Sequence, residues 1–451
     1  MATPRPQFSN DDRLPMLLGF QEVAANRYST TRLIERGRGI YVFDTEGREY
    51  IEATASFYVA SLGYQHEELI DAIEAQYREL PFYVSAVERT SKGSLELAER
   101  LSELVPVTRP HVLFASSGSE ANDFMIKLFG FQAVARGTPH RRTVIGRVGS
   151  YAGGTLATAS LTGGHHEEFG LPLAGFRHVS QPDYHGGREP GESPSEFASR
   201  LAHEIDDLLH AEPEQSVAAL FAEPVSFSAG LAVPPPQYFP AIQSVLKKHD
   251  VDLVADEVIT GFGRTGNWFG SQTMGFEPDH MVAAKGMTGG YFPLSTAVLG
   301  EGLYEDLERG SRVVGTLAHA ATYAAHPVGA AAALKTIEIM ERDDLIGGAA
   351  RKGEYLANGL EKLRDHPLVG DVRSLGLAGA VDFLRRDEHD VPVNDDAHEI
   401  AQRVAENLLA AGVVARCTDR SIVIAPPLII EQEELDVVCQ RFAEALDAAL
   451  E

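Results

Sequence analysis

Little in this 451-residue chain invites thiol chemistry: it holds two cysteines, Cys417 and Cys439, with no CxxC spacing. That excludes a disulfide framework and a thiolate metal site, and it points to a reducing cytoplasm. Long apolar runs are missing too. No stretch approaches the roughly 18 residues of a membrane-spanning helix, and the N-terminal MATPRPQFSNDDRLPM lacks the apolar core of a signal peptide. Basic residues are scarce, since 39 Lys and Arg against 65 Asp and Glu give a formal charge of −26. A surface so acidic repels nucleic acid and anionic membranes, so neither is expected as a partner.

What is present is an ordinary globular composition, long enough for two domains and a buried core. Residues 1–30 read as a polar arm. From 38 to 52, apolar and polar residues alternate around an Asp-Thr-Glu-Gly turn, a hairpin pattern. Helical stripes follow at 67–80 and 94–104. Beyond 111 the pattern changes to short apolar runs at 111–115, 143–148, 217–222, 251–255 and 281–284, separated by loops and helical segments. This alternation predicts an α/β fold, a mostly parallel sheet between helices. Residues 181–195, rich in Gly, Pro and Ser, read as a surface loop. After Pro327 an Ala-rich helix begins, followed by strand patterns at 372–383 and 421–424 and helices at 396–411 and 433–450. The expected division is a large domain over 60–326, with 1–59 and 327–451 forming a smaller α+β domain.

Three features carry chemistry. The run VDLVADEVITGFGRTG (251–266) ends a buried strand in Asp256 and Glu257, where ligands sit in open α/β sheets. The turn SSGSEAN (116–122) joins a strand to a helix, and its small residues and free N–H groups suit a phosphate, although a plain N-capped turn with Ser117 or Ser119 as cap has the same appearance. MVAAKG (281–286) places Lys285 at the mouth of a cleft, where desolvation favours the neutral, nucleophilic amine. A carboxylate, an amine and a phosphate cradle at one sheet edge are what pyridoxal phosphate needs. The GxGxxG of Gly261 to Gly266 follows a strand but precedes no helical period, so a dinucleotide loop is rejected. No metal site is expected, and the His165–His166 pair reads as solvated.

SSGSEAND, the AEPV of 222–225, ADEVITGFGRTG, AAKG and the TYAAHP of 322–327, in that order, resemble the class III aminotransferases of pyridoxal phosphate fold type I, in particular the ω-transaminases. The resemblance spans roughly residues 35 to 430. It implies pyridoxal 5'-phosphate covalently bound to Lys285, with Asp256 on the ring nitrogen and Gly118 and Ser119 on the phosphate. Tyr151 and Val258 would flank the ring, Glu223 would lie behind it, and Thr322 would reach the site of a neighbouring subunit. The implied assembly is a homodimer with shared sites, or a tetramer built from it. For substrates, Phe57 and Tyr58 would form an aromatic wall, and Arg416, with Arg420 as its rival, would bind the carboxylate of a keto acid. Ala152 stands where the family usually has His after the stacking tyrosine, and Ser226 to Ala229 depart from its acetylornithine and GABA types. The implied activity moves an amino group from a primary amine or ω-amino acid to a keto acid, pyruvate first. Two alternatives stay open at this point: another reaction on the same scaffold, such as a decarboxylating transamination or an aminomutase, and a catalytically silent binding protein.

Overall fold

A computed structural model describes residues 12–164, 167–213 and 216–450. The His165–His166 pair therefore lies outside the described residues. The hairpin near the N-terminus has three strands, β1 (Ile34–Arg38), β2 (Tyr41–Asp44) and β3 (Glu49–Glu52), each antiparallel to the next. Asp44 makes the turn between β2 and β3. Its carboxylate accepts from the N–H groups of Glu46 (3.0 Å) and Arg48 (2.9 Å) and from the Tyr50 hydroxyl (2.8 Å).

Seven strands form the central sheet: β4 (His111–Ala115), β5 (Thr143–Arg147), β6 (Phe176–Val179), β7 (Val217–Ala222), β8 (Asp252–Asp256), β9 (His280–Ala283) and β10 (Ser295–Leu299). Their order is β4-β10-β9-β8-β7-β5-β6. The five strands from β9 to β6 run parallel, while β10 is antiparallel to both neighbours. The expected α/β architecture is thus present as a mixed sheet. β7 and β9 are buried at every position because helices cover both faces, which is why they fall in the apolar runs at 217–222 and 281–284. β6 and β10 escape a pattern search: the first reads Phe-Arg-His-Val and the second carries Ser and Thr.

Beyond the long helix Pro327–Arg342 a four-stranded sheet contains β11 (Asp371–Ser374), β12 (Gly379–Asp382), β14 (Arg416–Cys417) and β15 (Ser421–Ile424). The two-residue strand β13 (Val413–Val414) pairs in parallel with β3, so the N-terminal hairpin and the C-terminal segment share one sheet.

The glycine-rich turn after β8 is the joint between the two regions. Arg264, fully buried, donates to the carbonyls of Leu377 (3.0 Å) and Pro426 (2.6 Å). Gly376, at φ +53°, lies so close that a Cβ there would come within 2.4 Å of Thr265 backbone atoms. The loop at 181–192 is likewise tied down, by His185 against the Leu384 carbonyl (2.8 Å) and by Arg188 against Asp390.

Candidate active site

Four neighbouring parallel strands finish at one edge of the central sheet, each in or beside a charged residue. Arg147 closes β5, Glu223 follows β7, Asp256 closes β8, and Lys285 lies just past β9. Strand order therefore sets a guanidinium, two carboxylates and an amine in a row.

Asp256 is buried, and its oxygens are individually held. Oδ2 accepts from the Asn122 side-chain amide at 2.8 Å, and Oδ1 accepts from the Val258 N–H at 3.1 Å. Its neighbour Glu257 points to the opposite face, as successive strand residues must. There it accepts from the Thr260 hydroxyl (2.5 Å), the Gly270 N–H (2.8 Å), and the N–H and hydroxyl of Ser271 (both 2.7 Å). Two adjacent carboxylates thus divide their work: Glu257 anchors a loop, and Asp256 faces the cleft.

Both readings of the SSGSEAN turn are present at once. Ser117 caps the helix Gly118–Ala135, accepting from the Glu120 N–H at 3.2 Å. That frees Ser119, whose hydroxyl accepts from the Gly154 N–H at 3.1 Å. A Cβ at Gly118 would lie 3.0 Å from the Val258 side chain, so glycine is what lets the helix start close over β8. Asn122, one turn further on, also donates to the Ala152 carbonyl at 2.9 Å. One amide therefore ties Asp256 to the loop that carries Tyr151, a half-buried ring edge-on to Phe20.

Phe57 and Tyr58 are set by an unusual backbone. Ala55, Ser56, Phe57 and Tyr58 have φ of +48°, +50°, +60° and +68°, a left-handed turn without a single glycine. Such a conformation costs about 1–2 kcal/mol per residue. Hydrogen bonds from the Tyr58 N–H to the Thr54 carbonyl (2.7 Å) and from the Val59 N–H to the Ala55 carbonyl (2.8 Å) hold it. The turn buries Tyr58 against Phe227 and leaves Phe57 half exposed. The Lys285 ammonium lies 5.7 Å from the Tyr58 ring centre, and the Arg416 guanidinium lies 4.4 Å from that of Phe57.

The two rival arginines separate clearly. Arg420 is committed, donating through Nε to Asp382 at 3.1 Å and through Nη2 to Asp183. Arg416 makes no ion pair among the described residues and rests on Phe57 instead. Thr322 is exposed, and among the described residues no hydrogen bond joins it to the row of strand ends.

Electrostatics follow from this enclosure. Burial lowers the Lys285 amine to about 8, against the opposing pull of Asp256 and Glu223, and Arg416 pushes in the same direction as burial. Burial raises the Asp256 carboxyl, partly offset by the Asn122 amide, the Val258 N–H, Lys285 and Arg147. Glu223 is raised to about 7, with burial the largest cause and Arg147 opposing it. A cationic ring nitrogen against Asp256 would favour its carboxylate.

The chain matches the family model described as aminotransferase class-III over residues 23–446. The chain belongs to the class III aminotransferases. It is 35% identical to a putrescine–pyruvate aminotransferase of Pseudomonas aeruginosa, over 97% of this chain and 95% of that one. It is 35% identical to a diaminobutyrate–2-oxoglutarate transaminase of Halomonas elongata, over 92% and 90%. Among solved structures it is similar to the ω-transaminase of Pseudomonas jessenii in complex with PMP, with a TM-score of 0.93, 38% identity and 96% of each chain covered.

Class III aminotransferases use pyridoxal phosphate, and the residues of this one fit it. The carboxylate for the ring nitrogen is buried and oriented, an amine stands on the next strand, and the Gly118 turn leaves backbone room above Val258. Glu223 Oε2 and Asn122 Oδ1 are buried without a hydrogen-bond partner among the described residues. Asn122 and Arg147 had not been singled out from the sequence, although Arg147 ends an apolar run in a charge just as Asp256 does.

Elsewhere, Asp206, His210 and His249 come together on the outer helices Pro194–Ala211 and Tyr238–Lys248. The Asp206 oxygen nearest His249 is already paired with Lys248 at 3.1 Å, so this cluster is a salt-bridge network. Among the described residues no helix is long and apolar enough to cross a membrane.

Proposed function

We propose that this aminotransferase is an ω-transaminase that takes the amino group from a primary amine or ω-amino acid and gives it to pyruvate in a ping-pong cycle. One observation carries the reading: Asp256, oriented by Asn122 at 2.8 Å, stands on the strand beside the one that delivers Lys285. When bound, pyridoxal phosphate withdraws electrons from the carbon bearing the substrate amine, which makes that carbon's proton acidic.

In this reading Lys285 holds the cofactor covalently at rest and its amine moves the substrate proton. A buried amine near 8 is poised for both, because a large share is neutral at mildly alkaline pH. Asp256 would pair with the ring nitrogen, Tyr151 and Val258 would flank the ring, and Glu223 would lie behind it. Gly118 and Ser119 face the phosphate. The left-handed turn presents Phe57 and Tyr58 as an apolar wall, and Arg416, lying on Phe57 with no ion pair to break, swings in to bind the keto acid's carboxylate bidentately and out again for an apolar amine.

The assembly in this reading is a homodimer, with Thr322 completing the neighbouring subunit's phosphate site. Support comes from exposed apolar side chains around it, including Val313 and Tyr323 at 85% and 64% exposure. Residues 60–326 form the large domain, with 1–59 and 327–451 the smaller one, and the protein works in the cytoplasm, where its two unpaired cysteines stay reduced.

The test is a donor panel of putrescine, β-alanine, taurine and arylalkylamines, each with pyruvate and with 2-oxoglutarate. The reading expects alanine from pyruvate with an amine donor. Carbon dioxide release, an isomerised substrate, or glutamate as the sole amino acid product would reject it.

A further inference from the structure

The row of strand ends contains one charge that the reaction does not use. Among the described residues Arg147 is the largest fully buried side chain, 1% exposed. Its Nη2 donates to the Glu223 backbone carbonyl at 2.7 Å and lies 3.7 Å from the Glu223 carboxylate. Nε and Nη1 of Arg147 and Oε2 of Glu223 make no other hydrogen bond among the described residues, and the buried Tyr238 hydroxyl, on the helix Tyr238–Lys248, faces the guanidinium. A guanidinium costs several kcal/mol to bury and is kept only where an anion answers it.

The anion is Glu223. Around it stand Arg147 from β5, Asp256 from β8, Lys285 beyond β9, and the Ser226 hydroxyl on its own segment. Asp256 repels it, and Lys285 ceases to be a free ammonium once it is covalently engaged. Arg147 is the only permanent cation in the row.

We infer that Arg147 is a positioning residue, whose buried guanidinium fixes Glu223 at the end of β7 and keeps it as the carboxylate that faces the cofactor pocket. This rests on the function proposed above only in what it says about the pocket. The Arg147–Glu223 pair itself can be tested without cofactor.

The sign of the pH effect follows from the raised Glu223 value. A carboxyl held near 7 in the fold and near 4.5 in the unfolded chain makes the fold bind the extra proton between those values. Its contribution to stability therefore falls as pH rises from about 4.5 to 7 and levels off above. Without Arg147 the folded value rises further, and the fall continues past pH 7.

Denaturant unfolding of the cofactor-free protein from pH 5 to 9 reads this directly for wild type, Arg147→Lys, Arg147→Met, Glu223→Gln and the double variant Arg147→Met/Glu223→Gln. The expected result is an Arg147→Met midpoint that falls between pH 7 and 9 relative to the wild type, whose curve runs parallel to those of Arg147→Lys and the double variant. Glu223→Gln alone should lower stability above pH 7, and more than the double variant does, because it strands the arginine, and should change little at pH 5, where the wild-type carboxyl is itself protonated. Pyridoxal phosphate titration should show Arg147→Met binding at least tenfold more weakly than Arg147→Lys. Parallel pH curves for Arg147→Met and the double variant would overturn the inference, as would equal cofactor affinity for the two Arg147 variants. If Arg147→Met does not fold, Arg147→Lys against Glu223→Gln decides, since the inference requires the lysine variant to be the more stable. A wild-type protein that binds no cofactor would reject the functional reading and leave the unfolding comparison intact.

Discussion

The Asn122 side chain bridges a strand end and a loop that lie far apart in sequence, giving one N–H to Asp256 at 2.8 Å and the other to the Ala152 carbonyl at 2.9 Å. The carboxylate meant for the ring nitrogen and the loop meant for the ring face are thus held by one buried amide. Asn122→Ala removes a charge-assisted hydrogen bond of about 1.5–3 kcal/mol and leaves Asp256 freer to rotate or protonate. Turnover should fall by about one to two orders of magnitude, with looser cofactor binding, both measurable by steady-state kinetics and absorbance titration.

Glu257 provides the contrasting prediction. It carries four hydrogen bonds from Thr260, Gly270 and Ser271 and faces away from the cleft. Glu257→Ala should destabilise the fold by about 3–5 kcal/mol, as breaking a buried charged network does. Molecules that remain folded at low temperature should keep substrate KM near wild type. An Asp256→Asn variant should show the opposite pattern, a stable fold with lost turnover.

The arginines invite a paired test. Arg416→Ala should raise KM for pyruvate at least tenfold while sparing the half-reaction with an apolar amine, because that guanidinium is tied to no carboxylate among the described residues. Arg420→Ala takes away one of the two arginines that answer the fully buried Asp382, Arg373 at 2.8 Å being the other, and should appear as lost stability. Separate single-turnover measurements of each half-reaction, with thermal melts, distinguish the two.

Lys285 makes a prediction about pH. Its folded value near 8 lies below the unfolded lysine value of about 10.4. Between those values the unfolded chain binds the extra proton, so stability rises with pH across that window. Cofactor-free wild type should gain stability from pH 8 to 10 relative to Lys285→Met, in which this gain is absent. Unfolding curves at the two pH values measure the difference.

The chemistry was legible in sequence wherever a strand ended abruptly. Asp256 and Lys285 each close an apolar run, and strand order alone makes those ends neighbours. Arg147 carries the same signal, but it precedes Val and Gly and belongs to no motif. The role of Asn122 was hidden because its partner is 134 residues away and the helix starts six residues before its apolar stripe, at Gly118. The left-handed turn at 55–58 left no trace, since Ala-Ser-Phe-Tyr contains no glycine. Only the fold around it enforces that backbone.

The central claim is that Lys285 is the residue that carries the cofactor. Borohydride reduction of the protein loaded with pyridoxal phosphate, followed by peptide mass spectrometry, tests it. The account predicts one reduced pyridoxyl adduct, on the peptide containing Lys285, and none after incubation with an excess of amine donor. An adduct on another lysine, or no adduct at all, would contradict it.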